Sequence, residues 1–453
     1  MHTADWIAGQ HKRHYADLIA RLPALIGRLA WDRAAIEAEQ LARLRAMVAH
    51  AQAHSAWHRA RLAHIDAASM TLTDVSRIPP MTKTDLMANW DAICTVDGAN
   101  LADAQAFAET LGRDDYYRET NHVVSSGGSS GLTGVVIYDW DGFADHYASV
   151  CRGHVPLLMR VAPPGELRMA SVGADSAKHI SFACTDAFAT PGNPTLRAPS
   201  TLPLATIVER LNAQAPQFLH GYPSMFAVLA REAEAGRLRI TPDIVYSSSE
   251  PLGDDLAARL RALWPGILLD CWSTTETTGS FPCTGDAAFH IAEDMNIVEI
   301  VPGDAGGVLV TNLYNRALPL IRFAIDDRFE LMDGPCSCGT AFQAVRAVAG
   351  RVNRMFDYPG GVSVSTVVFE TRIVATPGIA NWQVRQTGDG AEVLVESVGG
   401  IDLPDLEARL TAALADGGLA RASVTVRAVD HIARTRGGKI RRFLELADAA
   451  GAV

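Results

Sequence analysis

A glycine- and serine-rich stretch in the first third of the chain has the composition of a phosphate-binding loop. Residues 124–138 read VSSGGSSGLTGVVIY, so hydroxyls and glycines run into a β-branched apolar segment. Glycine lets backbone amides turn inward without a Cβ in the way, and serine adds hydroxyl donors for phosphate oxygens. No Gly-Lys-Ser/Thr follows and the next element is predicted as a strand, so this is not a Walker loop. The composition alone equally fits a flexible linker.

Three cysteines and one histidine form a second candidate site, which is suited to a metal. They are Cys283, His290, Cys336 and Cys338. Three thiolates and one imidazole fill the four-coordinate shell of Zn²⁺, and a shell without water indicates a structural metal. The Cys-x-Cys spacing is tighter than in common zinc fingers, so three free cysteines beside a packed histidine are the alternative. The chain has seven cysteines, an odd number that argues against a disulfide framework.

Length and charge limit the classes to which the chain can belong. At 453 residues it exceeds the size at which one hydrophobic core keeps growing, so two or three domains are expected. A net charge of −11 argues against a general nucleic-acid or anionic-membrane binder. No apolar run approaches the roughly 20 residues of a membrane helix, and the N-terminus lacks the pattern of a signal peptide. We therefore expect a cytoplasmic protein with neither nucleic acid nor membrane as a partner.

The elements that must position these residues follow an α/β pattern. Residues 4–65 have helical spacing and predict two or three helices. From about residue 120 to residue 330, β-branched runs alternate with amphipathic stretches, which favours an α/β architecture with largely parallel strands. The strands are predicted at Val123–Val124, Val135–Tyr138, Arg168–Val172, Phe218–His220, Ile244–Ser247 and Ile267–Leu269. The helices between them are predicted at Leu204–Gln214, Ser224–Ala235 and Asp254–Trp264.

A small β-rich subdomain is predicted at about residues 300–348. Its strands are predicted at Val308–Thr311, Pro319–Phe323 and Arg328–Met332, with no helix between them. The pattern of the sequence changes after Gly350-Arg351, and a C-terminal α/β domain is predicted to begin there. We therefore expect an N-terminal domain of residues 1–350 and a C-terminal domain of residues 351–453.

Several short motifs resemble those of the adenylate-forming ligases, and in particular the phenylacetate–CoA ligase-like branch. The phosphate-loop candidate resembles that family's Ser-Ser-Gly-Thr-Thr-Gly loop, but has Leu132-Thr133 where Lys-Pro is common and so lacks one cation. Residues 272–276 (WSTTE) resemble aromatic-Gly-x-Thr-Glu. Residues 248–251 (SSEP) resemble the Gly-x-Glu-Pro turn at the adenine, and residues 220–224 (HGYPS) resemble the Gly-x-Pro-Ser element at the acyl pocket.

Three further resemblances follow in the same order along the chain. Residues 315–328 (NRALPLIRFAIDDR) resemble a segment ending in Thr-Gly-Asp, with Ile325-Asp326 replacing Thr-Gly. Residues 350–355 (GRVNRM) resemble the Gly-Arg-x-Asp-Asp-Met hinge, and residues 434–442 (RTRGGKIRR) the Arg-Thr-x-x-Gly-Lys loop. The resemblance implies the family's fold, with a large N-terminal domain of stacked α/β sheets and a small mobile C-terminal α/β domain.

The resemblance also implies a site for ATP and Mg²⁺. Glu276 takes the place of the Mg²⁺ ligand, Thr275 that of the hydroxyl on phosphate, and Trp272 that of the ring on adenine. Asp327 falls on the aspartate that binds both ribose hydroxyls, and Lys439 on the catalytic lysine. The other predicted nucleotide-binding residues are Ser126, Gly128, Ser129, Ser130, Gly131, Ser249, Glu250, Pro251, Ser273 and Arg351. Taken singly, each residue also fits an ordinary core, surface or turn position.

The implied activity is ATP-dependent activation of a carboxylic acid through an acyl-adenylate. Thioester formation with CoA then follows, with release of AMP and pyrophosphate. Positioning and charge stabilisation carry the first step, and a swing of the C-terminal domain about Asn353 withdraws Lys439 for the second. One alternative transfers the acyl group to an amine or a carrier protein. Another is a non-catalytic, zinc-stabilised nucleotide-binding protein, against which the retention of Glu276, Asp327 and Lys439 argues.

The acid-binding pocket is predicted from residues near the resembled pocket segments. They are Tyr138, Lys178, His179, Phe182, His220, Gly221 and Tyr222. Aromatic and histidine lining favours an aryl or arylacetic acid, although Lys178-His179 also fits a surface turn.

Some members of the resembled branch carry a similar Cys/His set, which favours a structural zinc in this chain. A homodimer is left open.

Overall fold

A computed structural model describes most of the chain. The described residues are 2–126, 134–163, 165–174, 176–200, 202–301, 307–351, 355–359, 362–374, 376, 378–397, 400–434 and 440–446. The centre of the predicted phosphate loop, the predicted hinge at Asn353 and the loop with Lys439 lie outside them. The chain divides into two compact units, Met1–Gly350 and Arg351–Val453.

Helices dominate the first hundred residues, and most begin at a capping side chain. They are α1 (Ala4–Gly27), α2 (Arg33–His54), α3 (Ala56–Arg61), α4 (Lys83–Ala88), α5 (Trp90–Ile93) and α6 (Leu101–Thr110). Thr82 caps α4 in a reciprocal capping box with Asp85, which fixes where Lys83 enters the helix. In the part of the chain that the structure describes, no helix has both the length and the apolar content to cross a membrane.

The central sheet of the first unit has five parallel strands in the order β4-β3-β5-β6-β7. They are β3 (Met169–Val172), β4 (Leu196–Arg197), β5 (Phe218–Gly221), β6 (Ile244–Ser248) and β7 (Ile267–Cys271). The accompanying helices are α7 (Trp140–Val161), α8 (Ile180–Ala187), α9 (Leu204–Gln214), α10 (Pro223–Glu234) and α11 (Asp254–Leu263). The α/β prediction with parallel strands is confirmed for this sheet.

Alternating side chains of the parallel strands feed two separate cores. Leu219 and Val245 belong to a cluster with apolar residues of α9, α10 and α11, whereas Tyr246 and Leu269 belong to one with Leu158 of α7. Burying a large apolar side chain contributes about 1.5–3 kcal/mol, so helices on both faces hold the sheet rigid. Ligands of such sheets bind outside the carboxyl ends of the strands.

The remaining strands of the first unit are antiparallel. Strand β1 (His122–Ser125) pairs with β2 (Val135–Tyr138), and these two strands flank the predicted phosphate loop. One further sheet, in the order β13-β14-β9-β8, consists of β8 (Ser280–Pro282), β9 (Phe289–Ile291), β13 (Asp327–Leu331) and β14 (Ala344–Arg351). Another consists of β10 (Asn296–Val301), β11 (Gly307–Asn312) and β12 (Phe323–Ile325).

The predicted strand at Pro319–Phe323 is wrong in its bounds. The strand begins only at Phe323, because Arg322 has a φ of 51°, which is outside the extended region. Pro319 also lacks the N–H that a ladder requires. The buried apolar run that suggested a strand instead fills two cores, with Leu318 and Leu320 in one and Ile321 in the other.

The second unit is also α/β. It contains the hairpin β15 (Met355–Tyr358) and β16 (Val362–Ser365), the helices α12 (Val367–Val374) and α13 (Leu403–Asp416), and a four-stranded sheet. That sheet has the order β19-β18-β17-β20, with β17 (Ile379–Gln386), β18 (Gly390–Ser397), β19 (Ser423–Ala428) and β20 (Phe443–Leu444). Leu406 and Leu410 of α13 are fully buried with Val393 of β18, so this unit has a core of its own.

Candidate active site

The segment after β7 is fixed through its backbone carbonyls. Asn312 Nδ2 donates to the carbonyl of Glu276 at 3.1 Å, and Tyr138 Oη donates to the carbonyl of Thr275 at 2.8 Å. The amide of Glu276 in turn donates to Thr274 Oγ1 at 3.2 Å. Thr275 and Glu276 are each 7% exposed. The predicted Mg²⁺ ligand therefore lies on a backbone that buried polar side chains from other elements hold in place.

The two ends of the glycine- and serine-rich loop meet beside Glu276. Ser126 N donates to the carbonyl of Gly134 at 2.9 Å, and Gly134 N donates to Ser126 Oγ at 2.9 Å. Lys83 Nζ donates to the same Oγ at 2.8 Å and lies 3.7 Å from Glu276 Oε1. A Cβ at Gly134 would come within 2.9 Å of Lys83 Cε, so glycine makes room for this side chain. The predicted phosphate ligands Gly128, Ser129, Ser130 and Gly131 lie outside the described residues.

Trp272 and Asp327, the predicted adenine and ribose contacts, are neighbours. Trp272 Nε1 donates to Asp327 Oδ2 at 2.7 Å, and the two residues are 6% and 7% exposed. The indole meets Phe329 edge-on with ring centroids 4.7 Å apart. A Cβ at Gly279 would lie only 1.7 Å from an indole carbon, so the ring is packed directly against the main chain there. Their roles toward a nucleotide stay predictions.

The turn after β6 combines a helix cap with backbone strain. The carboxylate of Glu250 accepts from Ser224 N at 2.9 Å and from Ser224 Oγ at 3.2 Å, which caps the start of α10. Ser249 has a φ of 72°, a left-handed conformation that is unfavourable for a side chain with a Cβ. Pro251 is exposed and Ser273, after the next strand, is half-buried. Strain maintained at the carboxyl edge of a parallel sheet is typical of a binding site.

Tyr138, one of the predicted acyl-pocket residues, is buried in the core and donates to Thr275, and the other six fall into two groups. His220 contacts Ser171 Oγ through Nδ1 at 3.1 Å and Ser248 Oγ through Nε2 at 2.8 Å. Burial lowers the pKa of His220 to about 4, so this ring is neutral at pH 7. Tyr222 is fully buried, with its ring 6.5 Å from that of His179. These side chains, with Gly221, surround the carboxyl ends of β3, β5 and β6.

The second group consists of Lys178 and Phe182, each of which contacts a charged side chain. Lys178 forms an ion pair with the exposed carboxylate of Glu109, as expected of a surface turn. Phe182 lies under the guanidinium of Arg197, whose carbon is 3.5 Å from the ring centroid. The structure therefore joins His220 to Ser248 beside β6, but draws the ammonium of Lys178 toward Glu109.

One acid at a strand end was missed from the sequence. Asp270 is the penultimate residue of β7, in register with Ser247 of β6. Its Oδ1 is buried without a hydrogen bond of normal geometry, with the Ser247 hydroxyl and the Cys271 backbone as the polar neighbours of the carboxyl, and burial raises the pKa of this carboxyl to about 6. A buried acceptor without a donor requires an explanation, and a ligand with an N–H or O–H would supply one. The signal available in the sequence was a carboxylate two residues before Trp272 at a strand end.

The four predicted zinc ligands converge. Cys283 Sγ lies 3.4 Å from Cys336 Sγ and 3.2 Å from His290 Nε2, which is also 3.2 Å from Cys338 Sγ. A tetrahedral Zn²⁺ with bonds of about 2.3 Å to sulfur and 2.0 Å to nitrogen sets such ligand atoms roughly 3.5–3.8 Å apart. His290 Nδ1 contacts the carbonyl of Phe342 at 3.0 Å, which suits a ring that ligates through Nε2. All seven cysteines are free of disulfides.

Comparison with known proteins gives one relative by sequence. No protein-family model matches the chain. It is 28% identical over 234 residues to a phenylacetate-coenzyme A ligase of Thermus thermophilus. The match covers 45% of this chain and 47% of that protein, so it spans about half the length of the curated relative.

Solved structures match over nearly the whole chain. 2-Hydroxyisobutyryl-CoA ligase in the postadenylation state with 2-HIB-AMP has a TM-score of 0.65 at 18% identity, covering 93% of this chain and 92% of that one. The same ligase with 2-HIB-AMP and CoA in the thioesterification state has a TM-score of 0.56 at 20% identity, covering 92% and 91%. The chain is thus similar in sequence to a phenylacetate–CoA ligase and has the fold of the acyl-CoA ligases of the adenylate-forming superfamily, as its motifs predict.

Proposed function

We propose that this chain is an AMP-forming acid–CoA ligase, which activates a carboxylic acid with ATP as an acyl-adenylate and then forms the CoA thioester. The observation that carries the proposal is the meeting of Lys83, Ser126 and Glu276 at the mouth of the glycine- and serine-rich loop. A cation, a hydroxyl and a carboxylate at one point suit a magnesium-bound polyphosphate. The sequence relative and the matching folds support the same activity.

The first step requires charge stabilisation more than covalent chemistry. A carboxylate is a poor acyl donor because oxide would have to leave. Attack of its oxygen on the α-phosphorus of ATP forms the acyl–phosphate bond and breaks the bond to pyrophosphate, after which AMP is a good leaving group. We assign Glu276 to Mg²⁺, which would neutralise phosphate charge, and Thr275, Ser126 and Lys83 to phosphate oxygens. Asp327 would accept from the ribose hydroxyls.

Two residues of this proposal are supported in different ways. Lys439 lies outside the described residues, and its role beside the carboxylate and the α-phosphate rests on the Arg-Thr-x-x-Gly-Lys resemblance. Asp270 rests on geometry instead, because its unpartnered Oδ1 lies at the same sheet edge as Ser248. An amino group on the nucleotide base would supply the missing donor.

The acid is proposed to be an aryl or arylacetic acid. The support is the aromatic and histidine composition of the predicted pocket, in which Tyr222 is buried beside His179 and burial keeps His220 neutral. The sequence relative is a ligase of phenylacetate. Aromatic rings bury large areas and favour a planar partner at centroid distances of 4.5–7 Å.

We also propose that Cys283, His290, Cys336 and Cys338 hold a structural zinc ion. The support is their convergence, since the four ligand atoms all lie within 4.8 Å of one another. Such an ion would tie β9 to the segment before β14. It would stabilise the fold without entering the reaction.

A two-stage assay tests the ligase proposal. The protein is incubated with MgATP, hydroxylamine and a panel of aliphatic, aryl and arylacetic acids, and the acyl hydroxamate is measured. The assay is repeated with CoA in place of hydroxylamine, and AMP and thioester are quantified. We expect hydroxamate with aryl acids and CoA-dependent release of AMP. Hydroxamate without a CoA effect would indicate an amine or a carrier protein as the acceptor, and no hydroxamate with any acid would refute adenylation.

A further inference from the structure

The carboxylate of Asp327 is held by an unusual neighbour. The indole N–H of Trp272 donates to its Oδ2 at 2.7 Å although the two residues lie 55 positions apart. Trp272 follows the last parallel strand, whereas Asp327 begins β13 of an antiparallel sheet. One hydrogen bond therefore links two sheets at the point where the proposed nucleotide site needs an acceptor.

The donor side of this bond is rigid. Trp272 N donates to Ser280 Oγ at 2.9 Å, and the same hydroxyl donates to the carbonyl of Trp272 at 2.7 Å. The indole belongs to a buried cluster that includes Phe289 and Val310. Because the ring cannot turn, the direction of its N–H is fixed.

A fixed N–H determines how the carboxylate is turned. The terminal torsion of an aspartate is broad, so an unsupported carboxylate samples many orientations. A carboxylate has about four lone-pair sites, so the bond from the indole does not by itself use up its capacity to accept hydrogen bonds. An indole N–H can only donate, and it therefore cannot compete with the carboxylate for those hydroxyls.

We propose that Trp272 is a positioning residue that sets ribose recognition by holding Asp327 through its N–H. This inference rests on the proposed nucleotide-binding function and extends it to specificity. It assigns the indole edge a role that a ring of similar size without the N–H cannot fulfil. A nucleotide that lacks one ribose hydroxyl should then be rejected more strongly by the native chain than by a chain without this donor.

The test compares binding of ATP, 2′-deoxy-ATP and 3′-deoxy-ATP by calorimetry, which needs no acid substrate. The variant Trp272→Phe keeps an aromatic ring and loses the donor. We expect it to bind ATP about tenfold more weakly, since hydrogen bonds to charged groups are worth that much or more, and to lose most of the preference for ATP over the deoxy forms. Trp272→His, which retains a ring N–H, is expected to keep more of the preference than Trp272→Phe.

Trp140→Phe is the matched control. Its indole N–H also donates to a carboxylate, that of Asp17, between α7 and α1. This variant loses the same type of bond and is expected to bind all three nucleotides like the native protein.

The outcomes separate this inference from the function on which it rests. If Trp272→Phe weakens all three nucleotides by one factor, or if the Phe and His variants lose the preference equally, the indole acts by packing and the inference is wrong. If the native protein binds ATP but does not discriminate against the deoxy forms, the ribose role fails while nucleotide binding stands. A native protein that binds no ATP overturns the proposed function itself.

Discussion

Lys83 Nζ donates to Ser126 Oγ at 2.8 Å, although 43 residues separate the two in sequence. The phosphate loop of the resembled family commonly carries a lysine, and this chain has Leu132-Thr133 at that place. Lys83 enters from the first turn of α4 and brings an ammonium to the end of the same loop. The cation that the loop itself lacks is thus present beside it.

This arrangement predicts a phosphate-dependent effect of Lys83→Met. The variant should bind ATP about tenfold more weakly, because a charge-assisted bond to phosphate is lost. Binding of AMP should change less, since AMP lacks the β- and γ-phosphates. Calorimetry with both nucleotides measures this difference. Lys12→Met, at an exposed position of α1, is the control and should bind both as the native protein does. Equal weakening of ATP and AMP would contradict a phosphate contact.

The order of motifs along the chain predicted the fold class. Motif spacing also identified the four Cys and His side chains that converge in the structure. Lys83 and Asp270 were not found as site residues, because each acquires its role only from strands and loops distant in sequence. The hydrogen bond between Trp272 and Asp327 is likewise a tertiary contact that no local pattern encodes.

A buried ion pair in the first unit gives a stability prediction. Arg152 and Asp294 are both fully buried and form two parallel hydrogen bonds of 2.8 Å. Asp294→Asn leaves the guanidinium uncompensated, so we expect the free energy of unfolding to fall by about 3–5 kcal/mol. Urea denaturation measures this loss.

An exposed pair supplies the contrast. Arg237 forms two hydrogen bonds with Glu232 at the surface, and the Arg237 side chain is 62% exposed. Arg237→Ala should lower the free energy of unfolding far less than Asp294→Asn does, because water screens an exposed ion pair. Comparable losses in the two variants would mean that the buried pair has access to water.

Metal content is predicted to follow the Cys/His cluster. Protein purified without added zinc should contain close to one zinc ion per chain by elemental analysis, since three thiolates and one imidazole complete its shell. Cys336→Ser should lower both the zinc content and the thermal midpoint. Cys94→Ser, at a free cysteine outside the cluster, should retain the zinc. A zinc content near zero in the native protein would contradict the proposed zinc site.

The first unit should lose stability as the pH falls below the ordinary pKa of histidine. Burial lowers the pKa of five histidines, to about 2 to 4 against an ordinary value of 6.5; they are His14, His58, His146, His154 and His220. Below pH 6.5 the unfolded chain binds protons that the folded chain refuses, so stability falls as the pH falls. Each such histidine contributes about 1.4 kcal/mol per pH unit in this range. The change of stability with pH is measured from urea midpoints at about pH 7.5, 6 and 5, which lie on both sides of the ordinary histidine pKa.

A single histidine can be tested within that slope. His146 is a buried residue of α7, and its Nδ1 lies 3.1 Å from Tyr314 Oη. His146→Gln cannot take up the proton, so stability should fall less steeply below pH 6.5 by about one proton's contribution. Identical slopes for His146→Gln and the native protein would contradict the assignment.

Exchange of labelled pyrophosphate into ATP tests the adenylation claim most directly, because it reports the first step without requiring the acyl acceptor. We expect exchange that requires both Mg²⁺ and a carboxylic acid. We also expect the rate of exchange to fall by about a hundredfold or more in Glu276→Gln and in Lys439→Ala. Each substitution removes a charged side chain that is assigned to the reacting phosphate or its Mg²⁺. Exchange that proceeds without acid, or that survives both substitutions unchanged, would contradict the claim.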